Sequence, residues 1–172
     1  MKTTIFLFHP DIKTSRVNRA LASAAEKAGI EVRNLYARYP DWKIDVTQEQ
    51  NVLKDVDRIV FQFPMYWYST PSLMKEWLDQ VLAYGWAYGS NGNALQGKKV
   101  ILALSQGAAA EAYTKDGRYE VTTEELLKPL EAMKYLTGLE FEKPFVVSGT
   151  MNLTESELEK AAKDYVSRLQ EK

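Results

Sequence analysis

Residues 61–71 read Phe-Gln-Phe-Pro-Met-Tyr-Trp-Tyr-Ser-Thr-Pro and connect a predicted strand to a predicted helix. The apolar run from Arg58 to Phe63 is typical of a buried strand. Apolar residues at helical spacing follow and predict one buried helix face, formed by Leu73, Met74, Trp77, Leu78, Val81 and Leu82. Three consecutive aromatic residues, Tyr66 to Tyr68, therefore lie in a strand-to-helix turn. In an open parallel sheet such turns line the crevice that binds ligands, so we expect this turn to contact a ligand.

The rest of the chain alternates predicted strands with predicted helices. The other strands are the apolar runs Thr3 to Phe8, Glu31 to Leu35, Lys99 to Leu104 and Phe145 to Ser148. The other helix signals begin at Ser15, Thr47, Thr122 and Thr154. This alternation predicts a single α/β domain over residues 1–172, with a parallel sheet and helices on both faces. With right-handed crossovers, five strands favour the flavodoxin-like order 2-1-3-4-5, in which strands one and three border the ligand crevice.

Two segments leave their local structure open. The aromatic stretch from Tyr36 to Trp42 is predicted to be irregular. It packs either on a neighbouring chain or a ligand, or back on its own subunit. Pro129 would remove one hydrogen bond from the helix that begins at Thr122, which predicts a kink there or a helix start nearer Lys128.

The composition excludes several classes of function. With 22 basic and 23 acidic residues, a net charge of -1 gives no electrostatic case for a nucleic-acid partner. The chain has no cysteine and one histidine, His9, which excludes disulfides, thiolate nucleophiles, cysteine-based metal clusters and multi-histidine metal sites. We expect no metal, so any redox chemistry must come from a bound cofactor. The apolar runs are too short for a signal peptide or a membrane span, which predicts a soluble, cytoplasmic protein without membrane insertion.

The loop after the first predicted strand, His9 to Asn18, is a candidate phosphate site. Ser15 begins a helix there, and a helix N-terminus offers several N–H donors together with the positive end of the helix dipole. Lys13, Arg16 and Arg19 add positive charge. An ordinary N-cap with solvated basic residues would explain the same pattern, so this loop does not decide the matter alone.

The loops after the third and fourth predicted strands suit a flat ring. Pro64 to Tyr68 would lie along the ring edge, although an aromatic cluster at a strand end is also typical of a core or an interface. Gly107 permits close backbone approach, and Tyr113 can donate its hydroxyl hydrogen. With the first loop, these segments fit one ligand that has a phosphate at one end and a ring at the other. A flavin is such a ligand, and backbone dipoles would stabilise the charge that its reduced form gathers.

Over nearly its whole length the chain resembles the flavodoxin-like NAD(P)H:quinone oxidoreductases. The resemblance is strongest to their small bacterial branch, which includes the ancillary flavoproteins of glutathione-gated potassium efflux systems. The most specific motif is the run from Phe61 to Tyr68, followed by Pro71, Lys75, Trp77 and Asp79. The other matching residues are His9-Pro10 with Ser15 and Asn18, Gly85-Trp86-Ala87-Tyr88-Gly89, Leu95 with Gly97-Lys98, and Gly107 with Tyr113.

The resemblance implies a flavin site and its residues. Those matching the phosphate and ribityl loop are His9, Ser15, Arg16, Val17 and Asn18. Those matching the ring loop are Pro64, Met65, Tyr66, Trp67 and Tyr68, and those matching the pyrimidine end are Ser105, Gln106, Gly107 and Tyr113. The expected catalytic residues are Tyr113, Trp67 and Tyr68. FMN is favoured over FAD, because little sequence follows the last predicted strand to hold an adenine. The family also implies homodimers with active sites at the subunit interface.

The implied activity is that of a flavin-dependent NAD(P)H:quinone oxidoreductase. NAD(P)H would pass a hydride to flavin N5, and a quinone or similar flat acceptor would then take two electrons at the same ring face, which predicts ping-pong kinetics. One alternative is an ancillary regulatory subunit of a potassium efflux system, with a membrane transporter as partner. Another is a flavodoxin-type electron carrier, although such carriers tend to be strongly acidic.

Two departures from the family pattern bear on the rate. Ser105-Gln106-Gly107-Ala108 stands where the family has Thr-Thr-Gly-Gly, so a methyl group replaces the second glycine. Some members place a histidine beyond the tyrosine to neutralise reduced flavin, but no histidine follows His9 in this chain.

Overall fold

A computed structural model describes residues 1–171 and contains six strands and seven α-helices along that range. In chain order the elements are β1 (Thr3–Leu7), α1 (Arg16–Lys27), β2 (Glu31–Asn34), α2 (Leu35–Arg38), α3 (Val46–Lys54), β3 (Arg58–Pro64), α4 (Ser72–Val81), β4 (Lys99–Ser105), a 3₁₀ helix (Ala110–Ala112), α5 (Thr123–Glu131), α6 (Lys134–Thr137), β5 (Glu140–Phe141), β6 (Phe145–Val147) and α7 (Glu155–Gln170). Within this range no helix is long and apolar enough to cross a membrane.

The strands form one parallel sheet in the order β2-β1-β3-β4-β5, which confirms the flavodoxin-like topology predicted from the sequence. The predicted fifth strand, Phe145 to Ser148, is confirmed as β6, and the two-residue strand β5 is an additional strand that the sequence did not predict. β5 pairs with Lys99 and Val100 of β4, whereas β6 pairs with the stretch from Ala103 to Ser105. The sheet therefore has six strands rather than five. Residues 142–144 separate β5 from β6, and Pro144 among them has no N–H group to donate to a ladder.

Helices cover both faces of the sheet, around two separate apolar clusters. On the face with α3, α4 and α5, the buried Trp77 ring contacts the rings of Phe6 and Phe61 at centroid distances of 5.4 and 5.8 Å. On the face with α1 and α7, Leu21 and Tyr165 pack among apolar strand residues. Every residue of β3 is buried, because both faces of this central strand are covered.

Most predicted helix boundaries are confirmed. Ser15 caps α1, and Thr122 and Thr154 form complete capping boxes at the starts of α5 and α7. A start of α5 near Lys128 is wrong, because the capping box begins the helix at Thr123. Pro129 lies close to the end of this helix, two residues before Glu131.

The aromatic segment after β2 packs back on its own subunit at Tyr36 and Tyr39, whereas Trp42 is 42% exposed, so packing of this segment on a neighbouring chain stays a prediction. It is also more regular than predicted, because Asn34 caps the short helix α2. The Tyr39 hydroxyl donates to Glu49 Oε1 at 2.7 Å, and Glu49 Oε2 accepts from the indole N–H of Trp77 at 3.2 Å. The Arg33 guanidinium also donates to this buried carboxylate. These contacts join β2, the aromatic segment, α3 and α4 through one charged group.

Candidate active site

The loops after β1, β3 and β4 meet at the carboxyl edge of the sheet, and Ser105 links them. The Met65 N–H group donates to the Ser105 carbonyl at 2.8 Å. The side-chain amide of Asn18 donates to the Ser105 hydroxyl at 2.9 Å. The three loops predicted from the sequence are therefore brought together in one crevice, where open parallel sheets bind their ligands.

The loop after β1 presents a helix N-terminus to this crevice. Ser15 Oγ accepts the Asn18 N–H group at 3.1 Å. The N–H groups of Arg16 and Val17 have no acceptor among the described residues, as is usual in the first turn of a helix. The Val17 side chain is buried in the core, so only its backbone is available to a ligand.

The guanidinium of Arg16 is already engaged. It donates to the Leu153 carbonyl at 2.7 Å and to the Glu155 carboxylate at 2.7 Å. The guanidinium thus binds the loop before α7 and the start of that helix. Any contact of this loop with a phosphate would rest first on the α1 backbone N–H groups and the helix dipole.

His9 lies at the end of β1 and is neutral. Its Nδ1 atom accepts the Asp11 N–H group at 3.1 Å. Burial lowers the pKa of His9, against the smaller opposing effect of the Asp11 charge. Because Nδ1 accepts a hydrogen bond, the neutral ring carries its proton on Nε2, which remains a donor.

The loop after β3 makes a strained turn with aromatic residues at its tip. Tyr66 and Ser69 exchange two backbone hydrogen bonds, at 3.1 and 3.0 Å. Between them, Trp67 and Tyr68 have φ angles of +49° and +61°, as in a type I′ turn, which normally requires Asn-Gly. Positive φ is costly for such large side chains, and backbone strain of this kind concentrates at functional sites. The Trp67 ring is 93% exposed, and the N–H groups of Trp67 and Tyr68 have no acceptor among the described residues.

Relieving this strain should raise the stability of the fold and weaken ligand binding at the same time. We expect the double substitution Trp67→Asn and Tyr68→Gly to raise the free energy of unfolding by about 1 to 2 kcal/mol, because these residues suit positive φ. The same variant should bind FMN at least about tenfold more weakly, since it lacks both rings. Thermal unfolding without flavin and a fluorescence titration with FMN measure the two effects.

The matched control is Trp42→Asn, because Trp42 also has positive φ, at +64°, and lies outside the crevice loops. This variant should gain stability and keep the wild-type affinity for FMN. Unchanged affinity in the turn variant would contradict a role for the turn in binding.

The loop after β4 leaves space beside its glycine. A Cβ atom built on the exposed Gly107 would meet no atom within 4 Å. By contrast, the buried Gln106 side chain is an anchor: it donates to Ser148 Oγ at 2.9 Å and accepts from the Thr123 hydroxyl at 3.2 Å. Ala108 does not have positive φ, so this departure from the family pattern causes no backbone strain.

Three tyrosine rings join the second and third loops. The Tyr119 ring lies 5.0 Å from Tyr113 and 5.5 Å from Tyr68, between centroids. Burial, with a smaller effect from these two neighbours, raises the pKa of Tyr113. Its hydroxyl therefore stays protonated and able to donate at neutral and moderately alkaline pH.

Sequence reasoning assigned no separate role at this site to Tyr119 or to Gln62, although Gln62 lies within the motif of residues 61–68. Tyr119 lies in a polar segment without periodicity, so no local signal marks it. Gln62 has a weak signal, because it is a polar residue between Phe61 and Phe63 in a buried strand. Among the described residues, the partners of its side chain are distant in sequence, on α1 and α7.

The donors of this crevice fit a flavin mononucleotide. Unpaired N–H groups at the start of α1 suit a phosphate, and those of Trp67 and Tyr68 suit the polar edge of a ring. The open space at Gly107 permits close approach, and the protonated Tyr113 can donate to a developing negative charge.

Comparison with known proteins gives the same fold over almost the whole chain. The model of a family described as "Flavodoxin-like fold" matches residues 1–169. General stress protein 14 of Bacillus subtilis is 45% identical over 172 residues, covering 99% of this chain and 98% of that protein. The uncharacterized NAD(P)H oxidoreductase YrkL of B. subtilis is 42% identical over 170 residues, covering 98% of each. The potassium-efflux ancillary protein KefF of Enterobacter sp. is 39% identical over 166 residues, covering 96% and 93%.

Solved structures superpose closely, although their names differ. General stress protein 14 of Treponema denticola, in complex with FMN, has a TM-score of 0.93 and 41% identity over 98% of both chains. An NADPH-quinone reductase of P. pentosaceus has a TM-score of 0.87 and 27% identity, covering 98% and 97%. A structure named as a tryptophan halogenase of Streptomycin violaceusniger has a TM-score of 0.96 and 45% identity, covering 98% and 99%. These likenesses show the family, and the activity has to be argued from the crevice.

Proposed function

We propose that this chain, which belongs to the flavodoxin-like fold family, is an FMN-dependent NAD(P)H:quinone oxidoreductase. The chain is an oxidoreductase, because its relatives include proteins named as NAD(P)H oxidoreductases and a structure named as an NADPH-quinone reductase. The observation that carries the finer proposal is the meeting of three loops at Ser105. Together they offer unpaired N–H groups, a strained aromatic turn and a protonated tyrosine to one ligand.

Each loop has a distinct role in this proposal. The N–H groups of Arg16 and Val17, with the dipole of α1, would hold the phosphate. The Trp67–Tyr68 turn would hold the ring and form the wall against which reductant and acceptor stack in turn. The Tyr113 hydroxyl would donate a hydrogen bond where negative charge develops. When bound, FMN would supply the two-electron redox chemistry, hydride transfer, that the chain's own side chains cannot perform.

The first experiment is a visible absorption spectrum after incubation with FMN and desalting. We expect a retained yellow chromophore that bleaches on anaerobic addition of NADPH and returns on addition of a quinone. Initial rates at several quinone concentrations should give parallel double-reciprocal lines, because reductant and acceptor would use one ring face. A colourless desalted protein would overturn the proposal, and converging lines would overturn shared use of the face.

We also propose that the protein is a homodimer. A groove of about 640 Å³ lies between α4 and α5, and its largely apolar lining includes Met65, Tyr68, Leu78, Leu82, Leu130 and Leu136. Met65 and Tyr68 belong to the crevice as well, so a second copy seated in the groove would cover the open side of the site. Burial of apolar surface would stabilise this interface.

The dimer has a direct test by sedimentation velocity. Leu136 lines the groove and is 69% exposed, so Leu136→Asp should convert the dimer to a monomer without disturbing the core. Met151 is 81% exposed and lies outside the groove, so Met151→Asp is the control and should remain dimeric. A monomeric wild-type protein at micromolar concentration would refute the proposal.

A second function is favoured by the 39% identity to KefF, which is named as an ancillary protein of a potassium efflux system. In that case the chain would also bind a cytoplasmic domain of a membrane transporter. Affinity purification of the tagged protein from its own cells would test this. The control is the double variant Trp67→Asn and Tyr68→Gly, which is expected to bind FMN weakly. Recovery of no transporter in either sample would count against it.

A further inference from the structure

A series of hydrogen-bonded buried polar groups runs beneath the crevice from α7 to the last residue of β4. Its centre is Gln62, which is 0% exposed in the middle of β3. The Gln62 Nε2 atom donates to the Asn18 carbonyl at 2.9 Å. The Gln62 Oε1 atom accepts from the hydroxyl of Tyr165 at 3.1 Å, and Tyr165 is also 0% exposed. The amide of Gln62 is thus held from both sides.

This arrangement orients the side chain of Asn18. The Gln62 Nε2 atom lies 3.4 Å from Asn18 Oδ1, so the oxygen of the Asn18 amide faces the strand. Its Nδ2 atom consequently faces the opposite way and donates to Ser105 Oγ at 2.9 Å. One contact of Gln62 fixes which end of the Asn18 amide meets Ser105.

The direction of the Ser105 hydroxyl hydrogen follows from this contact. Because Ser105 Oγ accepts from Asn18, its own hydrogen points away from that amide. No acceptor for it is present in the part of the chain that the structure describes. Ser105 is 7% exposed and stands at the carboxyl end of β4, where all three crevice loops meet. The hydrogen is therefore available to a ligand in the crevice.

We propose that Gln62 is a positioning residue for flavin binding, which acts through Asn18 to aim the Ser105 hydroxyl at the cofactor. The inference rests on the proposed FMN site. A buried amide lowers the stability of the fold unless all its donors and acceptors are hydrogen-bonded. A leucine or methionine would fill this strand position without that requirement. The hydrogen bonds of Gln62 and Asn18 have one consequence for the site: they leave the Ser105 hydroxyl as a donor with a single orientation.

A double-mutant cycle tests the proposal. The variants are Gln62→Met, which keeps the side-chain volume, Ser105→Ala, and the two combined. Each single variant should weaken FMN affinity by about three- to tenfold, the size of one hydrogen bond. The double variant should bind about as weakly as either single variant, because the same hydrogen bond has been lost. Titration of the flavin-free protein, followed by flavin fluorescence, gives the dissociation constants.

Tyr165→Phe is the matched control. It breaks the same buried chain on the other side of Gln62, yet leaves the contacts from Gln62 to Asn18 and from Asn18 to Ser105 in place. It should lower the thermal midpoint of the flavin-free protein and keep FMN affinity within about twofold of the wild type. A purely structural role of Gln62 would instead make Tyr165→Phe and Gln62→Met weaken binding alike.

The outcomes separate this inference from the proposed function. If the wild-type protein binds no FMN, the proposed function itself fails. If the wild type binds FMN but the losses of Gln62→Met and Ser105→Ala multiply in the double variant, the positioning role alone is overturned. Should Gln62→Met not fold, the cycle of Asn18→Ala with Ser105→Ala tests the same link.

Discussion

Replacing Glu49 with glutamine should lower the free energy of unfolding by about 3 to 5 kcal/mol. The Glu49 side chain is 0% exposed and pairs with the guanidinium of Arg33, whose side chain is 5% exposed. Loss of the carboxylate charge would leave this buried guanidinium with only one counter-charge, the half-exposed carboxylate of Glu31, whose Oε1 lies 3.8 Å from Arg33 Nη1. The hydrogen bonds from Tyr39 and Trp77 to the same carboxylate would weaken too. Urea unfolding followed by tryptophan fluorescence measures the loss.

An exposed ion pair provides the control for this prediction. Lys160 Nζ and Asp164 Oδ2 lie 2.5 Å apart, but the two side chains are 75% and 52% exposed, and neither lines the groove proposed as the dimer interface. Asp164→Asn should therefore change the free energy of unfolding by less than about 0.5 kcal/mol. Adding Arg33→Met to Glu49→Gln should restore part of the lost stability, because the poorly paired cation is removed. If the free energy of unfolding of Glu49→Gln lies within about 1 kcal/mol of the wild-type value, the buried pair does not stabilise the fold as argued.

Replacing Tyr113 with phenylalanine should slow the anaerobic reduction of bound FMN by NADPH about 100-fold. The variant loses only the hydroxyl that, in the proposed function, would donate toward developing charge, so its FMN content after desalting should remain that of the wild type. Stopped-flow absorbance measures the rate. Tyr135→Phe is the control, because Tyr135 is 81% exposed and lies outside the crevice loops. A wild-type rate in Tyr113→Phe would show that the hydroxyl has no part in the reaction.

The pH dependence of the same rate follows from the environment of Tyr113. The hydroxyl donates only while it is protonated, and burial raises its pKa above the usual value of 10.0. The rate of FMN reduction should consequently decline with a midpoint at higher pH than the ionisation of an exposed tyrosine. A decline centred at or below the usual value would place the titrating group elsewhere.

Local signals in the sequence predicted the fold class, the strand order and the three loops that meet at Ser105. The unbroken apolar run of β3 marks a strand covered on both faces, and the capping boxes at Thr122 and Thr154 mark helix starts. These signals are local, because periodicity and capping depend on residues a few positions apart. The topology then follows from strict alternation and right-handed crossovers, which bring the ends of β1, β3 and β4 to one edge.

Contacts between side chains of different elements could not be predicted and became visible in the folded chain. Gln62 and Tyr165 are 103 positions apart in the chain, and Arg33, Glu49 and Trp77 lie on a strand and two different helices, so no spacing rule connects either set. The positive φ at Trp67 and Tyr68 contradicts local preference, which favours Asn-Gly, and it is held by the strand and helix on either side. The short strand β5, which the sequence did not predict, likewise depends on pairing with Lys99 and Val100 of β4. Local sequence reports burial and periodicity, whereas hydrogen-bond partners and strain depend on the packing of the whole chain.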